Sequence, residues 1–399
     1  MTGFSHHARP AGSGVIGVGL IGSHHAANPA RRVPDFRLAA LADAEPGLAA
    51  SARSAMTHLS DDTRPVGFGV IGVGLIGSHH AANLAHRVAG ARLVALADPK
   101  PGLAERTAAA LGCSTWTLDP DKLLSNPEVD AVVIASPAAY HADTVVAAAQ
   151  AGKAIFCEKP LANALADADR AIDAVRVAGV PFQIGFQRRF DAAFARARGL
   201  VARGDLGQIQ LLRSLTRDPS LDQPELVTPG AIFLETLIHD FDVLRFLAGG
   251  AEPIEVYASA DALILPDWKP RGMLDTAVVT LRYDSGAMAT ADASFQAVYG
   301  YDVRAEVFGS EGMASVGDDL GLRLVHHGRA GSTRPRPNWF VDVFGDAYAE
   351  ELRHFAAHIR GRAPADASLE DARAALALAL AAWRSAESHR PVFVSDVRD

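Results

Sequence analysis

Residues 67–98 read GFGVIGVGLIGSHHAANLAHRVAGARLVALAD. The run 67–73 is apolar and carries β-branched residues, as a strand buried on both faces requires. Gly72-Val73-Gly74-Leu75-Ile76-Gly77 then fits G-x-G-x-x-G. Gly72 permits a tight turn, Gly74 lets the backbone approach a pyrophosphate, and Gly77 allows the following helix to pack on the strand. That helix, beginning near Leu75 and Ile76, aims unpaired N–H groups and its positive dipole end at the phosphates. A second strand, 92–97, runs into Asp98, where a carboxylate is expected to meet the adenosine ribose. Its charge repels a 2′-phosphate and favours NAD over NADP, a preference that nearby Lys100 softens.

The alternation continues. Segment 130–135 (DAVVIA) is strand-like and ends in Ser136-Pro137, a helix is expected over 141–151, and 153–157 (KAIFC) is another strand. Strands alternating with amphipathic helices predict a doubly wound parallel sheet. Ligands bind beyond the carboxyl ends of such strands, where Ser136, Pro137, Glu158 and Lys159 fall.

Fifteen residues of the glycine unit, GVIGVGLIGSHHAAN, occur at 14–28 as well as at 69–83. The earlier copy has its own glycines (Gly17, Gly19, Gly22) and acid (Asp43), but no later strands follow it. Residues 1–64 therefore read as a partial duplicate that cannot close a cofactor crevice. The nucleotide unit is expected at 65–189 and a second domain at 190–399.

Composition narrows the partners. The chain has 399 residues, 49% hydrophobic and 21% charged, enough for a large core and two domains. A net charge of −8 offers no basic field for nucleic acid. Two cysteines, Cys113 and Cys157, make neither a disulfide framework nor a zinc cluster, which points to the cytoplasm. No apolar run approaches the ~18 residues of a membrane helix, and 15–21 is too short and glycine-rich for a signal core.

Two further stretches carry candidate chemistry. Glu158-Lys159-Pro160 follows a strand at the ligand edge, where an ammonium can stabilise a developing alkoxide. In 231–250, AIFLETLIHDFDVLRFLAGG, apolar residues recur at helical spacing. Glu235, His239 and Asp242 stand at i, i+4 and i+7 and so share one face. An imidazole there can take a hydroxyl proton while a carboxylate one turn away orients it. A solvated acid–histidine pair is the alternative reading of the same spacing.

From about Pro65 onward these motifs, with CEKP at 157–160, GFQRRFD at 185–191, ETLIHDFD at 235–242 and YGYDVRAEVFGSEG at 299–312, resemble the Gfo/Idh/MocA oxidoreductases, and within them the bacterial inositol 2-dehydrogenase branch. The resemblance implies a catalytic trio of lysine, acid and histidine at Lys159, Glu235 and His239, with glutamate standing where the family has aspartate. It implies substrate contacts at Arg188, Asp218 and Tyr301, with aspartate at 218 where inositol enzymes have asparagine. It implies NAD-dependent oxidation of a ring secondary alcohol of a cyclic polyol, myo-inositol to its 2-keto form. Aldose or anhydrosugar dehydrogenases and NAD-dependent glycoside hydrolases of the same family are the alternatives. It further implies an α+β second domain with an open, mostly antiparallel sheet, and assembly into dimers or tetramers. Strands are legible at 209–217, 255–260, 277–283, 287–295 and 303–308, and a closing helix at 369–386. The adjacent histidine pairs at 6–7, 24–25, 79–80 and 326–327 lack metal-site spacing, so no metal is expected.

Overall fold

The chain was analysed as a computed structural model that describes residues 64–397, apart from 222–223, 318–325, 329–330, 334–336 and 338. The earlier glycine unit, with Gly17, Gly19, Gly22 and Asp43, lies outside the described residues.

Strand β1 (Val66–Ile71) is buried along its whole length and leads through the glycine turn into helix α1 (Leu75–His86). Strands β2 (Ala91–Ala97), β3 (Thr115–Thr117), β4 (Ala131–Ile134), β5 (Ala154–Glu158) and β6 (Phe182–Gly185) complete a six-stranded sheet in the order β3-β2-β1-β4-β5-β6. Every pairing is parallel. Parallel strands need crossovers, and α2 (Leu103–Leu111), α3 (Pro120–Leu124), α4 (His141–Gln150) and α5 (Leu165–Ala178) supply them. The order in which strands are added reverses between β1 and β4, so the crevice opens where Gly72 faces Ser136.

After α6 (Ala192–Ala202) the chain builds a seven-stranded sheet. Its strands are β7 (Ile209–Arg217), β8 (Pro253–Asp261), β9 (Thr276–Tyr283), β10 (Met288–Ser294), β11 (Asp302–Gly309), β12 (Gly312–Val316) and the short β15 (Val392–Phe393). The order is β12-β11-β7-β10-β9-β8-β15, and among the described strands of this sheet only the β7–β10 pair is parallel. A small separate hairpin joins β13 (His326–Gly328) to β14 (Gly331–Thr333). Burial alternates strictly along β9: Ala277, Val279, Leu281 and Tyr283 are inside, while Val278, Thr280 and Arg282 are exposed. Helices α7 (Ile238–Leu247) and α9 (Leu369–Ser388) cover the inner face.

Helix α8 (Phe340–Ile359) ties the halves together. Its Leu352, Phe355, Ala356 and Ile359 belong to the core beneath the first sheet, and the Phe355 ring lies 6.1 Å from that of Phe68 and 5.9 Å from that of Phe156. Burying each such aromatic is worth roughly 1.5–3 kcal/mol, which anchors the second half against the first.

Candidate active site

The glycine turn has the shape a dinucleotide needs. Gly72 has φ of +84°, and a Cβ there would stand 2.5 Å from the Ser136 nitrogen. A Cβ on Gly77 would stand 1.8 Å from the Gly72 carbonyl oxygen, so helix and strand pack at glycine distance. Gly74 differs, because a Cβ there meets no described heavy atom within 4 Å. Only that middle glycine borders open space, the place a pyrophosphate would fill. Helix α1 starts at Gly74 without any side-chain cap, so its first N–H groups are available to an anion. Asp98 is held beside the turn by the N–H groups of Val73 (2.9 Å) and Lys100 (2.8 Å). Across the switch point, the Ser136 hydroxyl is buried with no hydrogen-bond partner among the described residues. His141 stitches the ends of β4 and β5 together, its ring nitrogens each 2.7 Å from the carbonyls of Ser136 and Pro160.

From this turn a cleft of about 530 Å³, part of it open solvent, runs toward the second sheet. Ile76, Glu158, Lys159, Arg188, Asp218, Glu235, His239 and Tyr301 all line it, so these residues named from sequence converge from six separate segments. Lys159, just past β5, donates a 2.8 Å hydrogen bond to the main-chain carbonyl of Glu235. Burial pulls its ammonium below the usual lysine range, opposed by the charges of Glu235, Glu158 and Asp218. Burial, aided by Lys159 and Arg188, holds the His239 imidazole well below its ordinary value, so it is neutral and able to accept a proton at pH 7. Burial lifts the Glu235 carboxyl to about 7 and that of Asp218 to about 6, with Lys159 opposing the rise in both and Arg188 also opposing it at Asp218.

The expected hydrogen-bonded Glu235–His239 pair does not form. Ile232–Leu237 is a π-helical stretch, and the α-helix resumes only at Ile238. In that wider turn residues five apart, not four, are bonded above one another, so the α-helical spacing fails at its first step. Glu235 Oε2 and His239 Nδ1 both lie buried without a hydrogen-bond partner among the described residues. The imidazole instead meets the edge of the Phe186 ring, 6.2 Å between centroids. Asp242 also leaves the expected face, because it is buried in an ion pair with Arg189 at 2.6 Å.

Arg188 and Glu158 reach the cleft with most of their bonding already engaged. Arg188 donates to Asp240 (3.1 Å) and Thr216 (2.7 Å), while its Nε has no partner among the described residues. Glu158 Oε1 lies 2.6 Å from His80 Nε2. Sequence reasoning missed His80, Gln187, Thr216, Thr236, Phe340 and Tyr348, all at or beside the cleft. Only His80 carried a local signal: it follows the glycine turn on α1, where a histidine beside a phosphate-binding helix is worth asking about.

Comparison with known proteins bears on this geometry. Residues 66–186 match the model of the Gfo/Idh/MocA oxidoreductase family, NAD-binding Rossmann fold, and 194–315 match the C-terminal domain of the same family. The chain belongs to the Gfo/Idh/MocA oxidoreductases. As in that family, the first sheet is an NAD-binding Rossmann fold and the second a mixed, mostly antiparallel one. Among family members, the chain is 38% identical to myo-inositol 2-dehydrogenase of Thermotoga maritima, over 82% of this chain and 98% of the other. It is 37% identical to scyllo-inositol 2-dehydrogenase (NAD(+)) of Bacillus subtilis, over 81% of this chain and 94% of the other. The crystal structure of scyllo-inositol dehydrogenase from Lactobacillus casei with bound NAD(H) and scyllo-inositol superposes with a TM-score of 0.79 at 28% identity, covering 84% of this chain and all of the other.

Proposed function

We propose that the chain is an NAD-dependent dehydrogenase of a cyclic polyol, oxidising a ring secondary alcohol of an inositol, myo-inositol foremost, to the ketone. The observation that carries this is the meeting of Lys159 with the π-helical turn of Glu235 in the same cleft as His239, beside Ile76 of the cofactor helix. The relatives named for inositol oxidation support the substrate class.

Bound NAD supplies the hydride acceptor. Gly72, Gly74, Leu75, Ile76 and Gly77 would hold its pyrophosphate, Asp98 its adenosine ribose, and Ser136, Pro137, Glu158 and Lys159 would border its nicotinamide end. His239 takes the proton of the reacting hydroxyl, its depressed basicity keeping it unprotonated until substrate arrives. Lys159, held by the Glu235 carbonyl, donates a hydrogen bond to the same oxygen as negative charge develops there. The Glu235 carboxylate stabilises that ammonium by charge; it does not orient the histidine. Asp218, Arg188 and Tyr301 select the ring by bonding its other hydroxyls, Asp218 accepting and Arg188 donating.

The test is an assay of purified protein with inositol isomers and aldoses, with NAD and NADP. Net formation of NADH with an inositol is the expected result. Sugar release without net NADH would assign the chain to the hydrolases of the family instead.

The outer face of the second sheet exposes Tyr257, Val278, Met288, Phe308 and Met313, an apolar surface suited to a second copy of the chain. Together with the two buried unpaired cysteines, this supports a cytoplasmic homotetramer. Light scattering on the eluted protein measures the subunit count, and a monomeric mass rules that assembly out. No helix among the described residues is long and apolar enough to cross a membrane. Residues 1–64 are assigned no working cofactor, 65–189 the nucleotide unit and 190–399 the substrate and assembly unit. A chain beginning at Thr63 therefore keeps its NAD binding.

A further inference from the structure

Helix α8 carries a residue that its buried face should exclude. Phe344, Tyr348, Leu352 and Phe355 mark the apolar side, and Glu351 stands among them with 0% exposure. Neither of its carboxyl oxygens has a hydrogen-bond partner among the described residues, and no lysine or arginine there pairs with it. An ionised carboxylate in such a place is costly unless something compensates it.

Its titratable neighbours are specific. Glu351, Glu158 and His80 each offer an atom within 4.8 Å of the other two, and His80 Nε2 is 2.6 Å from Glu158 Oε1. From α8 itself, Tyr348 sets its ring against those of His79 and His80. From β6, Gln183 donates to the Glu351 carbonyl and contacts His354, so it leaves the carboxyl unserved.

Two arrangements satisfy a histidine and two carboxyls in so small a space: a shared metal or a shared proton. Ligand atoms held 2.0–2.1 Å from a tetrahedral ion stand roughly 3.3 Å apart. The 2.6 Å contact is instead the length of a charge-assisted hydrogen bond, His80 donating to Glu158. His80 Nδ1 is then the bare nitrogen, in keeping with its lack of a partner.

We propose that Glu351 is the neutral acid of this cluster, so that Glu158 is the one of the two carboxyls that carries charge beside Lys159. Two carboxyls this close in apolar surroundings do not both carry charge. The charge settles on Glu158, which has the imidazole N–H and the neighbouring ammonium to stabilise it; the proton settles on Glu351, which has neither. Burial and the Glu158 charge both push the Glu351 carboxyl well above the usual range, in the same direction. Glu158 directly precedes Lys159, and its charge favours the ammonium against burial. Glu351 thus adds no charge to the site and leaves that part to Glu158, and the kinetic test of this rests on the role given to Lys159 above.

Infrared difference spectra of the full chain against Glu351→Gln at pH 9 test the protonation directly. The parent should show the carbonyl band of one protonated carboxyl that the variant lacks; absence of that band overturns the proposal. The pH dependence of kcat/KM tests the coupling. Glu351→Met, which removes the carboxyl but fills the space, should leave the basic limb where it is in the parent, because the group it removes carries no charge. Glu351→Gln should likewise hold that limb in place; a fall of about one pH unit in both variants would mean that Glu351 is ionised in the parent and counts against the proposal. One divalent ion per chain in the purified protein would also overturn it. If the methionine variant does not fold, or if no inositol is oxidised, the infrared result stands alone and decides. The second case rejects the assigned reaction without touching Glu351.

Discussion

Lys159 and Glu235, 76 residues apart, meet through a side-chain ammonium and a main-chain carbonyl 2.8 Å away. A carbonyl in a π-helical turn is free to accept such a bond, because the wider turn disrupts the regular ladder. The contact joins the end of a Rossmann strand to the helix that carries His239.

Substituting either end of the proposed proton path should stop the reaction and leave the cofactor in place. Lys159→Ala and His239→Ala are each expected to lower kcat by ~10²–10⁴-fold, the scale of a positioned acid–base group. NAD affinity, measured by fluorescence titration, should stay within a few-fold of the parent. Turnover that persists in both variants removes these two residues from the chemistry.

Glu235 sets a pH-dependent stability. Its carboxyl is lifted to about 7 in the folded protein, so the native state holds a proton that the unfolded chain releases near the ordinary glutamate value. Stability therefore falls as pH rises through this interval, and the loss is complete above about 7. Glu235→Gln abolishes the effect. It should raise stability by on the order of 3 kcal/mol at pH 8 and by almost nothing at pH 4, as urea unfolding at the two pH values would show. An equal change at both would mean that the carboxyl is not perturbed.

The glycines of the turn should separate by function. Gly77→Ala forces a methyl against the Gly72 carbonyl and is expected to cost about 3 kcal/mol or more, visible as a lowered Tm. Gly74→Ala meets open space, so Tm should hold while NAD affinity drops by ~10-fold or more, because the methyl occupies the pyrophosphate's approach. Calorimetric titration beside thermal melts distinguishes the two; equal effects on Tm would contradict the assignment of Gly74.

Arg189 is the structural member of the Arg188-Arg189 pair. It bridges Asp242, Asp366 and Asp371, and so joins the turn after β6 to α7 and to the start of α9. Arg189→Ala leaves Asp242 buried and uncompensated, an expected loss of roughly 3–5 kcal/mol in denaturant titration. Protein that does refold should keep its KM for substrate, whereas Arg188→Ala should raise it.

Much of the first domain was legible because parallel strands are buried on both faces and their crossovers are local. Expected strands at 92–97 and 209–217 are found at Ala91–Ala97 and Ile209–Arg217. The second sheet was legible through its period of two, as in β9. The break at Ile232–Leu237 was not, because a π-helical turn leaves the apolar spacing nearly intact while changing which polar side chains stand together. His80 and Glu351 were also hidden, since each looks local on its own helix and gains its partner from a distant element.

Sequence alone determined the glycine turn, the acid after β2, and the identity of the charged groups that line the cleft, because each depends on residues close along the chain or on a recognisable motif. Tertiary structure decided how those groups are paired: Lys159 to a carbonyl, Asp242 to Arg189, and Glu158 to His80. The physical reason is that burial raises the cost of every unpaired charge, and the partner that offsets it is chosen by the packing of whole helices and sheets, which no local spacing encodes.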